Sequence, residues 1–451
     1  MKIGQVGLGY VGLVNAAVLS NHGHQITGID IDHSRIVNLN KGIVPIFEPR
    51  LEKYLKNGKS NLIFSYDYSL LSGTDAIFIT MPTPNNSGKI DLSYVINACD
   101  EISRINKSAI LIIKSTVIPG TASLISNRTG MNVISNPEFT REGSAIYDTE
   151  HPDRIVIGGE PSEIVKDLWK FTKSPVITTT NANAELIKYA SNAFLATKIS
   201  FINQIADLCE KIPGADVNIV AKGMGLDKRI GKEFLKAGLG FGGSCFPKDT
   251  QALISYAKCL GVELSIVRNV YRYNENRIHK IIENAKDNGI SFNKSKICVL
   301  GLSFKDLTND LRESRSLALI EELMKNGAII NAYDPVIKKL DVVNICNDMN
   351  ICITESDIVI TATEWKDFSK ITLKSLEGKR VLDFRRLLDP EKYDIKMGVG
   401  LGENHLMRYT CCRDGFKVLS SYQSSAKGDA SYSGSTGHSL RRRGSGKIRT
   451  G

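Results

Sequence analysis

The opening residues alternate between apolar textures. KIGQV reads as a strand, GLG as a turn, VGLVNAAVLSNHG as an apolar helix stopped at Gly23, and HQITGID as a second strand. Short apolar runs recur at DAIFITMP (75–82), SAILIIKST (108–116), MNVISNP (131–137) and RIVIGG (154–159), with helical stretches between most of them. Strands alternating with helices predict a parallel, doubly wound sheet. From about Asn183 to Asn288 the pattern changes. Through AELIKYASNAFLATKISFINQIADLCEKI the apolar positions recur at helical spacing without a break, which predicts one long helix followed by shorter ones. Near Lys294 the alternation resumes, with KSKICVLGLSF, AIINAYDP, DIVITAT and RVLDF as strands and RSLALIEELMKNG as a helix. The expected fold is α/β, with two doubly wound units (1–182 and 291–400) joined by a helical central domain (183–290). Beyond about Gly400 the chain turns rich in Ser, Gly, Lys and Arg without periodicity, so a disordered basic tail over 401–451 is expected.

A chain of 451 residues exceeds what one core supports. No apolar run reaches the ~18–20 residues of a membrane span. The start runs straight into a strand and leaves no room for a signal peptide, so a cytoplasmic protein is expected. The net charge of +10 suggests nucleic acid at first sight, but nine Lys/Arg against three Asp/Glu put +6 of it in 401–451. The mild excess elsewhere suits an enzyme of anionic ligands better than a nucleic-acid binder. Nine cysteines show no paired spacing; most lie in apolar runs, such as Cys298 in KICVLG and Cys352 in NICIT, and read as free core thiols in a reducing compartment. No Cys/His cluster points to a metal.

The chemistry begins at Gly7-Leu8-Gly9-Tyr10-Val11-Gly12. A G-x-G-x-x-G is weak alone, but this one follows a strand, opens a helix and precedes an acid, Asp30, at the end of the next strand. Gly7 suits a tight turn, Gly9 close approach of the backbone to a pyrophosphate, and Gly12 close packing of helix on strand. The helix start offers free N–H groups and a positive dipole to phosphates. A carboxylate at Asp30 accepts from ribose hydroxyls and repels a 2′-phosphate, so NAD is expected over NADP, although Arg35 lies nearby. The first unit is therefore expected to be a Rossmann-like NAD-binding domain.

The most informative stretch is FLKAGLGFGGSCFPKD (234–249). Its glycines imply a loop whose backbone lies close to something. Pro247 suits a first helical turn, so Cys245 would stand at a helix N-terminus, where the dipole lowers a thiol pKa. Lys248 adds positive charge, and Asp249 falls within one turn of the sulfur. A lone cysteine is ordinarily a packing residue; these neighbours make it a candidate nucleophile. A dehydrogenase with such a thiol can carry an aldehyde as a thiohemiacetal, oxidise it to a thioester and release an acid. Two-electron hydroxyacid dehydrogenases share the fold plan but need no such cysteine.

From residue 1 to about 390 the chain resembles the UDP-glucose/GDP-mannose dehydrogenase family. The motifs, in order, are GLGYVG, GIDID, PIFEP, KSTVIPGT, NPEFTREGSAI, DRIVIG, ELIKYASNAFLATKISFINQ, GADV, GFGGSCFPKD and GLSFKDLTNDLRES. GFGGSC followed by FPKD lies nearer the UDP-glucose branch. The resemblance implies oxidation of UDP-glucose to UDP-glucuronate with two NAD, or the same chemistry on UDP-N-acetylglucosamine, UDP-N-acetylmannosamine or GDP-mannose. It implies that Cys245 carries the thioester, that Asp249 and Thr116 position a water or proton acceptor, that Lys188 stabilises the oxyanion with Asn192 in support, and that Glu138 is the base for hydrolysis. Lys188 and Asn192, four apart on a helix, share a face. Tyr10, Val11, Thr83, Thr116, Glu142, Lys248 and Arg312 are implied around NAD. Phe234, Lys236, Gly242, Phe304, Lys305 and Arg385 are implied, with Glu138, Lys188 and Asn192, around the UDP-sugar, so the second α/β unit is expected to be Rossmann-like and to hold UDP, which accounts for its missing glycine fingerprint. Arg229 is implied to reach the sugar-nucleotide of a neighbouring subunit, and the apolar long helix implies a homodimer or higher oligomer. One residue and one segment depart from the family pattern. Thr140 stands where leucine is common in NPEFLREG, and MPTP replaces a VxTP-like segment.

Overall fold

The computed structural model describes residues 1–86 and 88–402. The tail expected over 401–451 lies outside the described residues, apart from Leu401 and Gly402, which belong to the fold. The strands are β1 (Lys2–Val6), β2 (Gln25–Ile29), β3 (Leu62–Ser65), β4 (Ala76–Ile79), the short pair β5 (Asn85–Asn86) and β6 (Lys89–Ile90), β7 (Ile110–Ile113), β8 (Val133–Ser135), β9 (Ile155–Gly158), β10 (Val176–Thr179), β11 (Lys296–Leu300), β12 (Ile329–Tyr333), β13 (Asn344–Ile345), β14 (Ile358–Thr361), β15 (Arg380–Asp383) and β16 (Ile395–Gly398). The helices are α1 (Tyr10–Asn21), α2 (His33–Asn40), α3 (Leu51–Asn57), α4 (Ser93–Ile105), α5 (Thr121–Thr129), α6 (Ala145–Glu150), α7 (Glu163–Leu168), α8 (Asn181–Cys209), α9 (Val217–Gly225), α10 (Phe246–Cys259), α11 (Ser265–Asp287), α12 (Arg315–Lys325) and α13 (Met349–Thr354).

Two sheets carry the molecule. The first runs β10-β9-β8-β7-β4-β1-β2-β3, parallel except where β8 meets β9; the second runs β13-β12-β11-β14-β15-β16, parallel throughout. Strands such as Ala76–Ile79 and Ile110–Ile113 are buried at every residue, because helices cover both faces of a parallel sheet. The described residues contain no helix long and apolar enough to cross a membrane.

The glycine turn has the geometry its sequence demands. Gly7 takes φ +87°, and a Cβ on Gly12 would lie 1.9 Å from Gly7 O. Gly12→Ala therefore has to open the turn, which costs about 1–3 kcal/mol by the usual overpacking penalty. The variant is expected to melt several degrees lower and to lose most of its dinucleotide affinity, read by thermal melting and NAD titration. The second sheet repeats the turn with one glycine. Gly301 takes φ +95°, and its N–H meets Tyr333 O at 2.8 Å as Gly7 N–H meets Ile29 O at 2.9 Å. Asp334 then accepts from Leu302 N–H at 2.8 Å as Asp30 accepts from Leu8 N–H at 2.7 Å. The second unit thus keeps the first glycine and the acid, and lacks the rest of the fingerprint.

The central region departs from one long helix followed by short ones. The 29-residue α8 is joined by α11, also long at 23 residues. Segment 265–287 is so polar outside its buried stripe, Val270 to Ala285, that its length was hard to read. Ile202 and Ala206 of α8 and Ile278 and Ile281 of α11 share one core with Ile297, Val299 and Leu323 of the second unit. The end of the described chain is stitched to the same helices. Val217 N–H donates to Gly400 O and Gly402 N–H to Ala215 O, each at 2.9 Å, and Arg386 pairs with Asp216 at 2.7 Å.

Two of the cysteines expected to be free core thiols are bonded to each other. Cys298 on β11 and Cys352 on α13 are joined as a disulfide, with Cα atoms 5.5 Å apart, inside the range a bridge spans. Sheet and covering helix bring them together across 54 residues, a separation that carries no signal. These two no longer support a reducing compartment. Cys99, Cys209, Cys259 and Cys346 are free.

Candidate active site

The site gathers loops at the C-terminal ends of β4, β7 and β8 against α8 and the start of α10, where an open parallel sheet receives its ligands. Cys245 is the residue just before α10, with Pro247 in the first turn. Its thiol is open to solvent on one side and packed round by protein elsewhere. Lys188 lies on the buried face of α8, and its Nζ meets Glu138 Oε1 at 2.8 Å. Asn192, one turn along, donates instead to Asp249 Oδ2 at 2.7 Å. Lys188 and Asn192 thus share a face, but each holds a different carboxylate. Asp249 is fully buried and takes Lys248 Nζ on its other oxygen at 2.6 Å. Lys248 also reaches Thr83 Oγ1 at 3.4 Å, and Thr83 donates to Thr116 O at 2.9 Å. Those bonds tie the central helices to the first sheet.

The electrostatics differ from expectation at the sulfur. A helix N-terminus was expected to lower the thiol pKa. Burial instead pushes Cys245 up to about 11, the charge of Asp249 adds to the rise, and Lys188 opposes it. Desolvation is the largest of these influences. Alkylation by iodoacetamide in the free protein is therefore expected to accelerate about tenfold per pH unit from 7 to 10, whereas an ordinary cysteine levels off above about pH 8.5. Stopped-time inactivation at several pH values reads this directly; a plateau near pH 8 contradicts it. Burial pulls Lys188 down, but Glu138, then Cys245 and Asp249, outweigh it and hold the ammonium above its ordinary value. Burial pushes Glu138 up, but Lys188 and the bonds from Thr140 outweigh it and keep it below the usual carboxylate range.

A second cluster lies where the second α/β unit meets the first. Glu142 accepts from Thr308 Oγ1 at 3.1 Å and lies 3.6 Å from Arg312, which pairs with Asp310 at 2.5 Å. Burial, and then Asp310, push Glu142 up to about 7. Lys305 Nζ donates to Glu142 O, and Phe304 faces Gly243, where a Cβ would lie 2.7 Å from the ring. Gly242 is equally confined, 2.1 Å from Glu313 O by the same measure. Further along the glycine loop, Lys236 pairs with Glu364, and buried Arg385 donates to Ala362 O at 2.7 Å while its Nη1 lies against Gly238. Phe234, at φ +63°, packs its ring edge-on to Phe246 at 6.1 Å.

The glycine turn brings Asp30 beside the start of α1. Asp30 accepts from Leu8 N–H and Asp32 N–H and pairs with Arg35 at 2.8 Å. A Cβ at Gly9 would meet no protein atom within 4 Å, so the backbone there is open to a close ligand. Val11 lies in the first turn of α1. Arg229 is not brought to the site. Its side chain is 89% exposed and pairs with Asp227.

Sequence reasoning missed three groups that hold the site. Glu48 of PIFEP is buried and accepts from the Tyr10 hydroxyl, from Gly143 N–H at 2.7 Å and from Ile146 N–H at 3.3 Å, locking the loop of Glu138 and Glu142 to the start of α1. Glu185 accepts from Gly120 N–H at 2.6 Å and Ala122 N–H at 2.9 Å, fixing α8 to the start of α5. Lys114 of KSTVIPGT is buried over Trp169 (4.5 Å) and donates to Asn136 at 3.3 Å; burial pushes it down to about 8 against the opposing charge of Glu138. The motifs holding Glu48, Glu185 and Lys114 were visible, but an acid or a lysine inside a motif carries no sign of what it will touch.

Known proteins resemble this chain over nearly its whole described length. Residues 1–172, 182–276 and 298–390 match, in turn, the NAD binding, central and UDP binding domains of the UDP-glucose/GDP-mannose dehydrogenase family. UDP-glucose 6-dehydrogenase YwqF of Bacillus subtilis is 41% identical over 84% of this chain and 90% of its own length. The structure of a UDP-glucose dehydrogenase from Pyrobaculum islandicum superposes with a TM-score of 0.83 at 36% identity, covering 89% of this chain and 98% of that one. A UDP-D-ManNAc dehydrogenase from Pyrococcus horikoshii superposes at 0.79 with 26% identity, over 89% and 99%. The chain belongs to the UDP-glucose/GDP-mannose dehydrogenase family.

Proposed function

We propose that this chain is a NAD-dependent UDP-glucose 6-dehydrogenase that takes the C6 alcohol to a carboxylate in two oxidations at one site. The observation that carries the reading is the thiol of Cys245 beside a buried Lys188–Glu138 pair and a buried Asp249. The 41% and 36% identities to UDP-glucose enzymes, against 26% to the UDP-D-ManNAc one, favour glucose.

In this reading residues 1–182 bind NAD, 183–290 form the helical centre and 291–400 hold the UDP-sugar. The open backbone at Gly9 and the carboxylate of Asp30 fit a dinucleotide; Tyr10, Val11, Gly12, Arg35, Thr83, Glu142, Lys248 and Arg312 complete its surroundings. NAD, when bound, supplies the hydride acceptor for both oxidations. Asp249 and Thr116 position a water that takes the proton of the C6 hydroxyl. The Cys245 sulfur then adds to the aldehyde carbon, and Lys188, supported by Asn192, holds the oxygen that gains charge. Oxidation of the thiohemiacetal leaves a thioester. Glu138 removes a proton from water as its oxygen bonds to the carbonyl carbon; the C–S bond breaks, the thiolate regains a proton and the acid departs ionised. Phe234, Lys236, Gly242, Phe304, Lys305 and Arg385 surround the nucleotide-sugar, cations facing its diphosphate.

The assembly is read as at least a homodimer. Phe194, Ile219, Leu226 and Ile266 of the central region are 66–78% exposed, apolar side chains suited to a second copy, and Arg229, exposed in the same region, is read as the residue that reaches the neighbour's substrate. The enzyme works in the cytoplasm. The test is product stoichiometry. UDP-glucose is expected to yield two NADH per molecule and a kcat/KM at least about tenfold above UDP-N-acetylglucosamine, UDP-N-acetylmannosamine and GDP-mannose. One NADH per sugar, or preference for another sugar, overturns it.

A further inference from the structure

Glu138 has a partner on each oxygen. Lys188 holds Oε1 at 2.8 Å, while Thr140 serves Oε2 twice, with its N–H at 2.7 Å and its hydroxyl at 2.8 Å. Phe139, between them, carries Arg154 on its ring at 3.8 Å and Lys188 at 5.4 Å, which fixes the loop on both sides. The N–H would be present with any residue but proline at this position. The hydroxyl belongs to threonine, and a hydrocarbon side chain there would leave Oε2 with the backbone bond alone.

We propose that Thr140 is a positioning residue for thioester hydrolysis, its hydroxyl fixing the carboxylate of Glu138 and setting the pH at which that base becomes available. The inference rests on the reading of Glu138 as the hydrolytic base. A hydroxyl that donates to a carboxylate favours the charged form, and such bonds are stronger than neutral ones. The bond from Thr140 joins Lys188 in holding Glu138 below its ordinary value. The base is therefore ionised at lower pH, and each ionised base is a weaker proton acceptor.

The experiment follows a single turnover of UDP-glucose with excess NAD by rapid pH jump and quench between about pH 3 and 8, a range that reaches below the ordinary carboxylate value. It measures the formation of the enzyme thioester by intact mass and its decay to UDP-glucuronate. Thr140→Val keeps the shape and removes the hydroxyl; Thr140→Ser keeps the hydroxyl. With Thr140→Val the acid limb of the decay is expected to move up by about one pH unit while thioester formation keeps its wild-type pH dependence. Thr140→Ser is expected to overlay the wild type. A limb that stays put in Thr140→Val, or moves equally in Thr140→Ser, overturns the assignment. Glu138→Gln separates the two levels. Thioester that accumulates there, with an unmoved limb in Thr140→Val, sinks the role of Thr140 alone. Thioester that decays there with the wild-type limb removes Glu138 as the base, and Thr140 with it.

Discussion

Cys245→Ser is expected to lower acid formation by at least about a thousandfold, equivalent to ~4 kcal/mol of barrier. A hydroxyl at this position ionises far less readily than a thiol already pushed up to about 11. If a serine did add to the aldehyde, its oxygen would leave the resulting ester much less easily than sulfur leaves a thioester. The glycine turn at residues 7–12 and Asp30 lie on other elements, so NAD affinity is expected to change by less than about twofold. NADH production and NAD titration on the same preparation give both numbers. Steady NADH output at the wild-type rate would show that no covalent carrier is needed.

Lys188→Met is expected to damage both turnover and stability, by separable routes. Removal of a cation directed at a developing oxyanion costs about 10²–10³ in kcat. The same change strands a buried carboxylate, Glu138, at about 3–5 kcal/mol. The sign with pH follows from Glu138. In the wild type Lys188 holds its pKa below the ordinary value, so that stabilisation is present at neutral pH and fades only as pH falls through the folded value. Without Lys188 burial dominates and raises it, so the variant pays its penalty above the ordinary carboxylate value. The Tm gap between the two proteins is therefore expected to be widest near pH 7–8 and to narrow toward pH 4. Adding Glu138→Gln is expected to restore much of the Tm and none of the activity. A gap independent of pH contradicts the pairing.

What could be read from the chain beforehand was what lies close in sequence. GLGYVG and Asp30 form one strand–turn–helix–strand unit, so spacing alone located the dinucleotide turn. Cys245, Pro247 and Asp249 likewise follow from one loop and the helix it starts. The groups that join across the fold were hidden. Glu138 meets Lys188 over 50 residues and Asn192 meets Asp249 over 57, and residue types at such separations carry no geometry. The family resemblance named those residues, but their pairing is a product of packing. The thiol pKa was misjudged for the same reason, since a dipole can be inferred from a helix start and desolvation cannot. Strand β10, VITT with three of its four residues exposed, lacks the apolar run that revealed its neighbours. The Cys298–Cys352 bridge was invisible until strand and helix were stacked.

The sulfur and the glycine turn sit on different elements of the molecule. Cys245 is anchored to α10 among the central helices, and the Gly7–Gly12 turn sits between β1 and α1 of the first sheet. In the proposed mechanism a half-oxidised sugar thus stays tethered to one wall while spent dinucleotide departs from the other and a fresh one takes its place. The reactive aldehyde need never be free in solution, where it would be lost to other nucleophiles.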